Sequence, residues 1–209
     1  MATTDEPAAP TTRTAPAASA QPSRRERKKA ATRKALSDAA LELFLERGYD
    51  KVTVAEIAAA ADTAVTTVFA HFPAGKEALI LDDSGEREAS LAAAVRGRPA
   101  GSSALDALHA SFAARAPFAT NLPEEYQRRM DLVMGTPALC AYARRVWVAC
   151  TDTLAGLLAE AAGRAEADDS LRVLARYVLE TPDLASSCPD PQAALATAFA
   201  HLKRGWPGL

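Results

Sequence analysis

The chain has 209 residues and a formal net charge of −2 at pH 7, with 49% apolar and only 6% aromatic residues. Much of the apolar fraction is alanine, which favours helix, and the length allows an ample core. No segment has the alternating Val/Ile/Tyr pattern of repeated strands. We therefore expect an all-α protein.

Positive charge is concentrated near the N-terminus. Positions 24 to 34 hold seven Lys or Arg residues and one Glu. A local basic block on an otherwise mildly acidic chain favours a nucleic-acid contact over binding to polyanions in general. The alternative is a solvated tail beside a helix.

Residues 1–22 are rich in Ala, Pro and Thr and lack the apolar segment of a signal peptide. We expect them to be a disordered tail. No later run approaches the roughly 18 apolar residues of a membrane span. Cys140, Cys150 and Cys188 are sparse and have no CxxC spacing, which is typical of a reducing compartment. The expected location is cytoplasmic, without membrane contact.

The first predicted helix covers residues 24–47 and stops at Gly48, a residue that readily takes the left-handed conformation after a helix. A second helix begins at Thr53, which forms a capping-box pattern with Glu56. A third spans residues 64–72. Two compact helices about three residues apart are typical of a helix-turn-helix DNA-binding motif.

The third helix has two contrasting faces. Its predicted apolar stripe is Val65, Val68, Phe69 and Phe72. The opposite face has small and hydroxyl side chains where an ordinary surface helix has Lys and Glu, namely Thr66, Thr67, Ala70 and His71. Such a face suits close approach to a DNA major groove.

The remaining elements are also helical. A fourth helix is predicted from Lys76 to about Arg96, followed by a loop at 97–103. Further helices are predicted at 104–115, 123–134, 137–162, 170–180 and 191–203, with an irregular connection at 181–191.

Residues 31–81 resemble the N-terminal domain of the TetR family of bacterial transcriptional regulators. The segments that carry the resemblance are 39–49, 53–61, 67–73 and 76–79. The turn departs from the family pattern, since Asp62, Thr63 and Ala64 replace the usual Gly-Val-Ser, so capping of the third helix would shift to Thr63 or Asp62. Gly75 is an extra residue before Lys76. The later part of the chain is loosely similar to actinobacterial members, including regulators linked to mycofactocin.

The resemblance implies a domain organisation and a set of DNA contacts. Residues 23–75 would form the helix-turn-helix DNA-binding domain, and residues 76–209 a helical domain for ligand binding and dimerisation. The implied base-reading residues are Val65, Thr66 and Ala70, although core packing is an equal alternative for Val65. The implied phosphate contacts are Arg24, Arg25, Lys28, Thr53, Thr67, His71 and Lys76, with Arg24 to Lys29 acting as an N-terminal arm.

The resemblance also implies an effector pocket and a dimer interface. Large, adaptable side chains that could line the pocket are Phe112, Met130, Met134 and Trp147, for each of which plain core packing is the alternative. The last two helices would form a four-helix bundle between subunits through Leu171, Leu174, Val178, Leu195, Phe199 and Leu202. The alternative is that these residues pack inward.

The sequence offers little for catalysis. The three histidines lie on separate segments, and there is no HExxH, no GxSxG and no glycine-rich phosphate loop. We predict a non-enzymatic protein without metal or cofactor: a homodimeric repressor that binds a palindromic double-stranded DNA operator and is released by a small-molecule effector.

Two alternatives remain open. One is a thiol-based redox sensor using Cys140, Cys150 or Cys188, of which the first two are about 15 Å apart along one predicted helix and cannot pair there. The other is a small helical enzyme or carrier with a DNA-binding-like head.

Overall fold

The computed structural model describes residues 23–81 and 85–206. The predicted disordered tail at 1–22 lies outside the described residues. Within them the chain is all-helical, as predicted, and no strand forms. The α-helices are α1 (Arg24–Arg47), α2 (Val54–Ala60), α3 (Val65–His71), α4 (Glu86–Arg96), α5 (Ala104–Ala113), α6 (Glu124–Gly135), α7 (Pro137–Ala149), α8 (Thr151–Ala161), α9 (Asp169–Ser186) and α10 (Pro191–Gly205).

The first three helices and two short 3-10 helices, Tyr49–Lys51 and Lys76–Leu79, surround one apolar core. Its largest fully buried side chains include Phe44 of α1 and Phe72 directly after α3. The same core takes in Val133 of α6 and three residues of α7. We call α1 to α3 with these two short helices the head.

A second core lies among α4, α5, α8, α9 and α10. Leu108, Leu154, Leu174 and Phe199 are at most 1% exposed within it. Helix α9 packs against α7, α8 and α10. The helices from α4 onward therefore form a helical body beside the head.

The predicted fourth helix is not continuous. The chain forms a 3-10 helix at Lys76–Leu79, and α4 begins only at Glu86, after Gly85 in the left-handed conformation (φ 78°). Four consecutive residues from Ala78 to Leu81 are buried. A regular surface helix cannot bury four successive side chains, since they point around its whole circumference.

The predicted helix at 137–162 is two helices that meet at Cys150. Cys150 (φ −77°, ψ 6°) lies between the last residue of α7 and the first residue of α8. Its N–H donates to the Trp147 carbonyl at the end of α7, and its carbonyl accepts from the Leu154 N–H at the start of α8. Thr151 Oγ1 donates to the Val148 carbonyl at 2.6 Å. Such a hydroxyl bond to a nearby carbonyl competes with the backbone hydrogen bonds of a continuous helix. The spacing of apolar residues, on which the prediction of one helix depended, does not reveal this bond.

Helix α9 runs past the predicted end at Glu180 to Ser186, with Pro182 inside it. Thr181 Oγ1 donates to the Tyr177 carbonyl at 2.7 Å in the turn that Pro182 interrupts. Beyond the proline, Ala185 is buried in the body's core. The expectation of an irregular connection was wrong over 181–186 because tertiary packing outweighs the proline's local preference.

Candidate nucleic-acid interface

The basic N-terminal run is helical, in agreement with the helix predicted for residues 24–47. Ser23 and Glu26 form a capping box. The Ser23 N–H donates to Glu26 Oε2 at 2.7 Å, and the Glu26 N–H donates to Ser23 Oγ at 3.2 Å. This box fixes the start of α1 at Arg24. Arg25, Lys28 and Lys29 then lie on one face of the first turns of α1.

Helix α2 begins at the predicted capping box. Thr53 N–H donates to Glu56 Oε2 at 2.8 Å, and Glu56 N–H donates to Thr53 Oγ1 at 3.3 Å. The bonds from Thr53, together with Arg47 at 2.7 Å, lower the pKa of Glu56 to about 2. The Thr53 hydroxyl also donates to Glu56, so this predicted phosphate contact is exposed but held by its own helix.

Helix α3 exposes more apolar surface than the predicted stripe allows. Val68 and Phe72 are 2% and 1% exposed, but Val65 and Phe69 are 39% and 51% exposed. A helix of seven residues has room for only a narrow buried face. Thr66 and Ala70 are also exposed, so all three predicted base-reading residues lie at the surface.

The turn before α3 has no serine at the position that precedes the helix. Asp62 takes the left-handed conformation (φ 49°), and Thr63 N–H donates to the Ala58 carbonyl at 2.9 Å. Helix α3 then starts at Val65 after Ala64, which offers no side-chain cap. Capping does not shift to Thr63 or Asp62. The first N–H groups of α3 therefore have no side-chain acceptor.

A cleft of about 500 Å³ separates the start of α1 from α3. We call it the basic cleft; its lining residues are Arg25, Lys28, Lys29, Thr32, Thr63, Thr67, Ala70 and His71. The structure thus brings together five of the predicted DNA contacts from two helices. Arg24, Thr53 and Lys76 do not line it.

Arg33 joins the two walls of the basic cleft. Its guanidinium donates to the His71 carbonyl and lies 4.3 Å from the centre of the Phe72 ring. Burial, Arg33 and Lys29 lower the pKa of His71 below its ordinary value. The Nδ1 atom of His71 is buried and has no hydrogen-bond partner.

Lys76 has a role that the sequence did not indicate. Its ammonium donates to the carbonyls of Tyr49 and Val52 at 2.7 and 3.0 Å and lies 3.8 Å from the centre of the Tyr49 ring. The Tyr49 hydroxyl donates to Glu77 at 2.8 Å, and burial with this bond raises the pKa of Tyr49. Two of the three donors of Lys76 are therefore used to hold the α1–α2 connection.

The predicted effector-pocket residues fall into two groups. Phe112 of α5 is 3% exposed and meets Trp147 of α7 edge-on, with ring centres 5.7 Å apart. Met130 packs on the head's core, and Met134 is 45% exposed on α6. Arg115 lies beside the Phe112–Trp147 pair, 5.3 Å from the centre of the Trp147 ring, and was not predicted from the sequence.

The predicted dimer residues pack inward. Leu171, Leu174, Val178, Leu195 and Phe199 are at most 1% exposed within the chain, and Leu202 packs against the same core. A side chain enclosed by its own subunit cannot also form a seam with another, so this assignment was wrong. The exposed apolar residues of α9 are instead Val173 (45%), Tyr177 (53%) and Leu184 (65%).

The three cysteines differ in exposure. Cys150 is buried with its thiol 3.4 Å from the Val146 carbonyl, Cys140 is half-buried, and Cys188 is exposed. Among the described residues, no group of His, Cys, Asp or Glu is arranged to hold a metal ion. None of the described helices is long and apolar enough to cross a membrane.

Two family models match the chain. Residues 36–82, which contain most of the head, match bacterial regulatory proteins of the tetR family. Residues 102–182 match the C-terminal domain of MftR.

Two curated relatives agree with these matches. The mycofactocin biosynthesis transcriptional regulator MftR of Mycobacterium tuberculosis is 30% identical over 137 residues, which are 66% of this chain and 69% of that protein. The HTH-type transcriptional regulator TcmR of Streptomyces glaucescens is 41% identical over 105 residues, which are 50% of this chain and 45% of that protein. The chain belongs to the TetR family of transcriptional regulators. These relatives are regulators and not enzymes, which confirms the prediction of a non-enzymatic protein.

Two solved structures share the fold. Salmonella enterica GusR superposes with a TM-score of 0.51 at 23% identity, covering 83% of this chain and 94% of that one. A TetR-family regulator from Mesorhizobium loti gives a TM-score of 0.50 at 16% identity, covering 85% and 98%. The predicted arrangement of an N-terminal helix-turn-helix head and a C-terminal helical body is confirmed.

Proposed function

We propose that the protein is a ligand-responsive repressor that binds a palindromic operator as a homodimer and leaves it when a small molecule binds the helical body. The observation that carries the DNA part is the basic cleft beside the exposed face of α3. Three cations on one face of α1 supply charge for a phosphate backbone, and small side chains on α3 allow close approach to base edges.

The contacts divide by chemistry. Thr66 can donate, accept and offer a methyl group to thymine, while Val65 and Ala70 give apolar contact. Arg25, Lys28, Thr67 and His71 line the basic cleft and suit phosphates. Phe69, which the sequence pattern had placed in the apolar stripe of α3, is exposed and adds an apolar contact.

The dimer part rests on the exposed face of α9. Val173, Tyr177 and Leu184 are spaced i, i+4 and i+11, which places them within about 40° on one side of the helix. Tyr177 also meets Trp206 edge-on with ring centres 6.1 Å apart, and Trp206 Nε1 donates to Ser170 at 2.8 Å. A second copy of the chain would cover this surface and set two α3 helices at the spacing of two half-sites.

Helix α6 supplies a route from the body to the head. Val133 of α6 is buried in the head's core, and Arg129 donates to the Ile80 carbonyl directly after the second 3-10 helix. An effector that moves α6 would therefore shift α1 and α3 together. The usual coupling between two such sites is about 1–3 kcal/mol.

Selection of DNA fragments from a random pool by the purified protein tests the proposal. The selected sites should contain two inverted half-sites that are protected together in a footprint. Binding should weaken with salt, and the double variant Arg25→Ala/Lys28→Ala should lower the log–log slope by about 0.9 for each phosphate that the variant no longer neutralises. Arg164→Ala, which removes an exposed arginine after α8, is the control and should leave the slope unchanged. Selection of no common site, or of single half-sites only, would contradict the proposal.

A further inference from the structure

Arg115 is placed unusually for an arginine. It follows α5 and is half-buried, with its guanidinium donating to the Ser90 hydroxyl of α4 and, at 3.4 Å, to the Ser111 hydroxyl of α5. The same group lies 5.3 Å from the centre of the Trp147 ring and 6.0 Å from that of Phe112. None of the acidic residues that the structure describes forms an ion pair with it.

Other arginines of the body have the acidic partner that Arg115 lacks among the described residues. Arg96 and Arg144 are exposed and yet pair with Glu160 at 2.8 Å and with Glu180 at 2.5 Å. Arg115 is more deeply placed, and its burial lowers its pKa. A desolvated charge without a counter-charge is costly to the fold, so a residue kept in that state needs a reason.

We propose that Arg115 binds the carboxylate of an anionic effector whose apolar part rests against Trp147. This inference rests on the proposed effector role of the helical body. The planar guanidinium matches a carboxylate in a two-point contact, and the hydroxyls of Ser90 and Ser111 fix its orientation. Trp147 is half-buried and keeps part of its surface accessible, whereas Phe112 is buried and supports it from the core.

The position also connects binding with the head. Arg115 lies over the ring of Trp147 on α7, and the neighbouring Val146 of the same helix is buried in the head's core. A carboxylate that neutralises Arg115 therefore changes the charge beside α7, a helix that packs against the cores of both the body and the head.

The first test measures the unliganded protein. Arg115→Met keeps an unbranched apolar side chain and removes the charge, and thermal unfolding should show equal or higher stability than the parent. The matched control is Arg145→Met on α7, because Arg145 also lies over an aromatic ring, 4.7 Å from the centre of Tyr142, but is exposed. An Arg115→Met protein that unfolds at a clearly lower temperature would assign Arg115 a structural role and overturn the proposal.

The second test uses carboxylates and their neutral amides as probes. Calorimetry with benzoate, 2-naphthoate and decanoate should find at least one that binds the parent, with its amide about tenfold or more weaker. Arg115→Met should lose this preference, Arg115→Lys should retain part of it, and Arg145→Met should retain all of it. Binding of no carboxylate, or an equal preference in Arg115→Met, would overturn the proposal.

Operator binding separates this inference from the proposed function. Without ligand, Arg115→Met should bind the selected operator as tightly as the parent does. If the parent selects no operator, the proposed function fails, whatever the probes show. If the operator is bound and the carboxylate preference is absent, only the assignment of Arg115 fails.

Discussion

The head and the helical body hold their candidate functional side chains in different ways. In the head, α2 and α3 have seven residues each, and the residues proposed to read bases lie at the surface. Polar contacts by Glu56, Arg33 and Lys76 hold these short elements in place. In the body, α9 has 18 residues, and Phe112 and most of the residues predicted for the interface are part of the core.

In the head, the residues proposed to recognise DNA differ from those that stabilise the fold. In the body, one helix contains both core residues and residues of the proposed dimer interface. A base-reading residue on α3 contributes little to the core, so it can be exchanged without loss of fold. A substitution on α9 acts on the fold or on the proposed dimer according to the side of the helix it occupies. The following variants test that division.

The largest effect is expected for Leu174→Glu. Leu174 is fully buried within the subunit, so an ionised carboxylate there would have no partner. The free energy of unfolding should fall by about 3–5 kcal/mol, measured by urea titration with circular dichroism. An unchanged midpoint with loss of the dimer would show that Leu174 lies at the subunit seam after all.

Tyr177→Glu lies three residues further along α9 on the exposed side. The subunit should stay folded, but the dimer should weaken by about 2 kcal/mol or more, or roughly thirtyfold, since the charge lies at the proposed seam. Sedimentation equilibrium measures the change. Ala141→Glu, at an exposed position of α7, is the control and should remain dimeric. A Tyr177→Glu protein with parental dimer affinity would exclude this face.

Lys76→Met should lower both stability and operator affinity. Two backbone carbonyls and the Tyr49 ring lose their cation, which should cost about 2–3 kcal/mol. The unfolding temperature and the affinity for DNA should both decrease, and the affinity should decrease equally for all DNA sequences. Lys51→Met, at a neighbouring exposed lysine, is the control for charge alone. Weaker DNA binding without loss of stability would instead assign Lys76 to phosphate contact only.

The smallest effect concerns pH. Burial, Arg33 and Lys29 lower the pKa of His71 from its ordinary 6.5, so the free protein holds His71 neutral at pH 7. A nearby phosphate would raise that pKa, so binding takes up a proton at pH values between the pKa of free His71 and its higher pKa in the complex. Operator affinity should therefore rise by up to about tenfold on the acid side for the parent and stay flat for His71→Gln. His201→Gln, exposed on α10, should behave as the parent; a parental profile in His71→Gln would remove His71 from the interface.

The sequence predicted the head well because local rules determine it. The capping box at Thr53 and the stop at Gly48 depend on residues close together in the sequence, and α1 ends and α2 begins where these signals lie. The exposure of Phe69 could not be read in this way, since the length of α3 and the packing of its neighbours decide which face is buried.

The body was less predictable because its signals are non-local. The period of α9 identifies Leu171, Leu174 and Val178 as one face, but the same period fits a subunit core and a dimer seam. Arg115 could not be found from spacing, since its environment comes from α4, α5 and α7 together. Only the packed structure distinguishes these cases.

The most direct test of the account is the base preference of Thr66→Ala on the selected operator. Titration against a set of single-base-pair variants should show binding weakened by about 1–3 kcal/mol, with preference relaxed at one base pair in each half-site and no change in unfolding temperature. Thr153→Ala, at an exposed threonine of α8, should match the parent. Parental affinity with an unchanged preference at every base pair would contradict the placement of α3 as the helix that reads DNA.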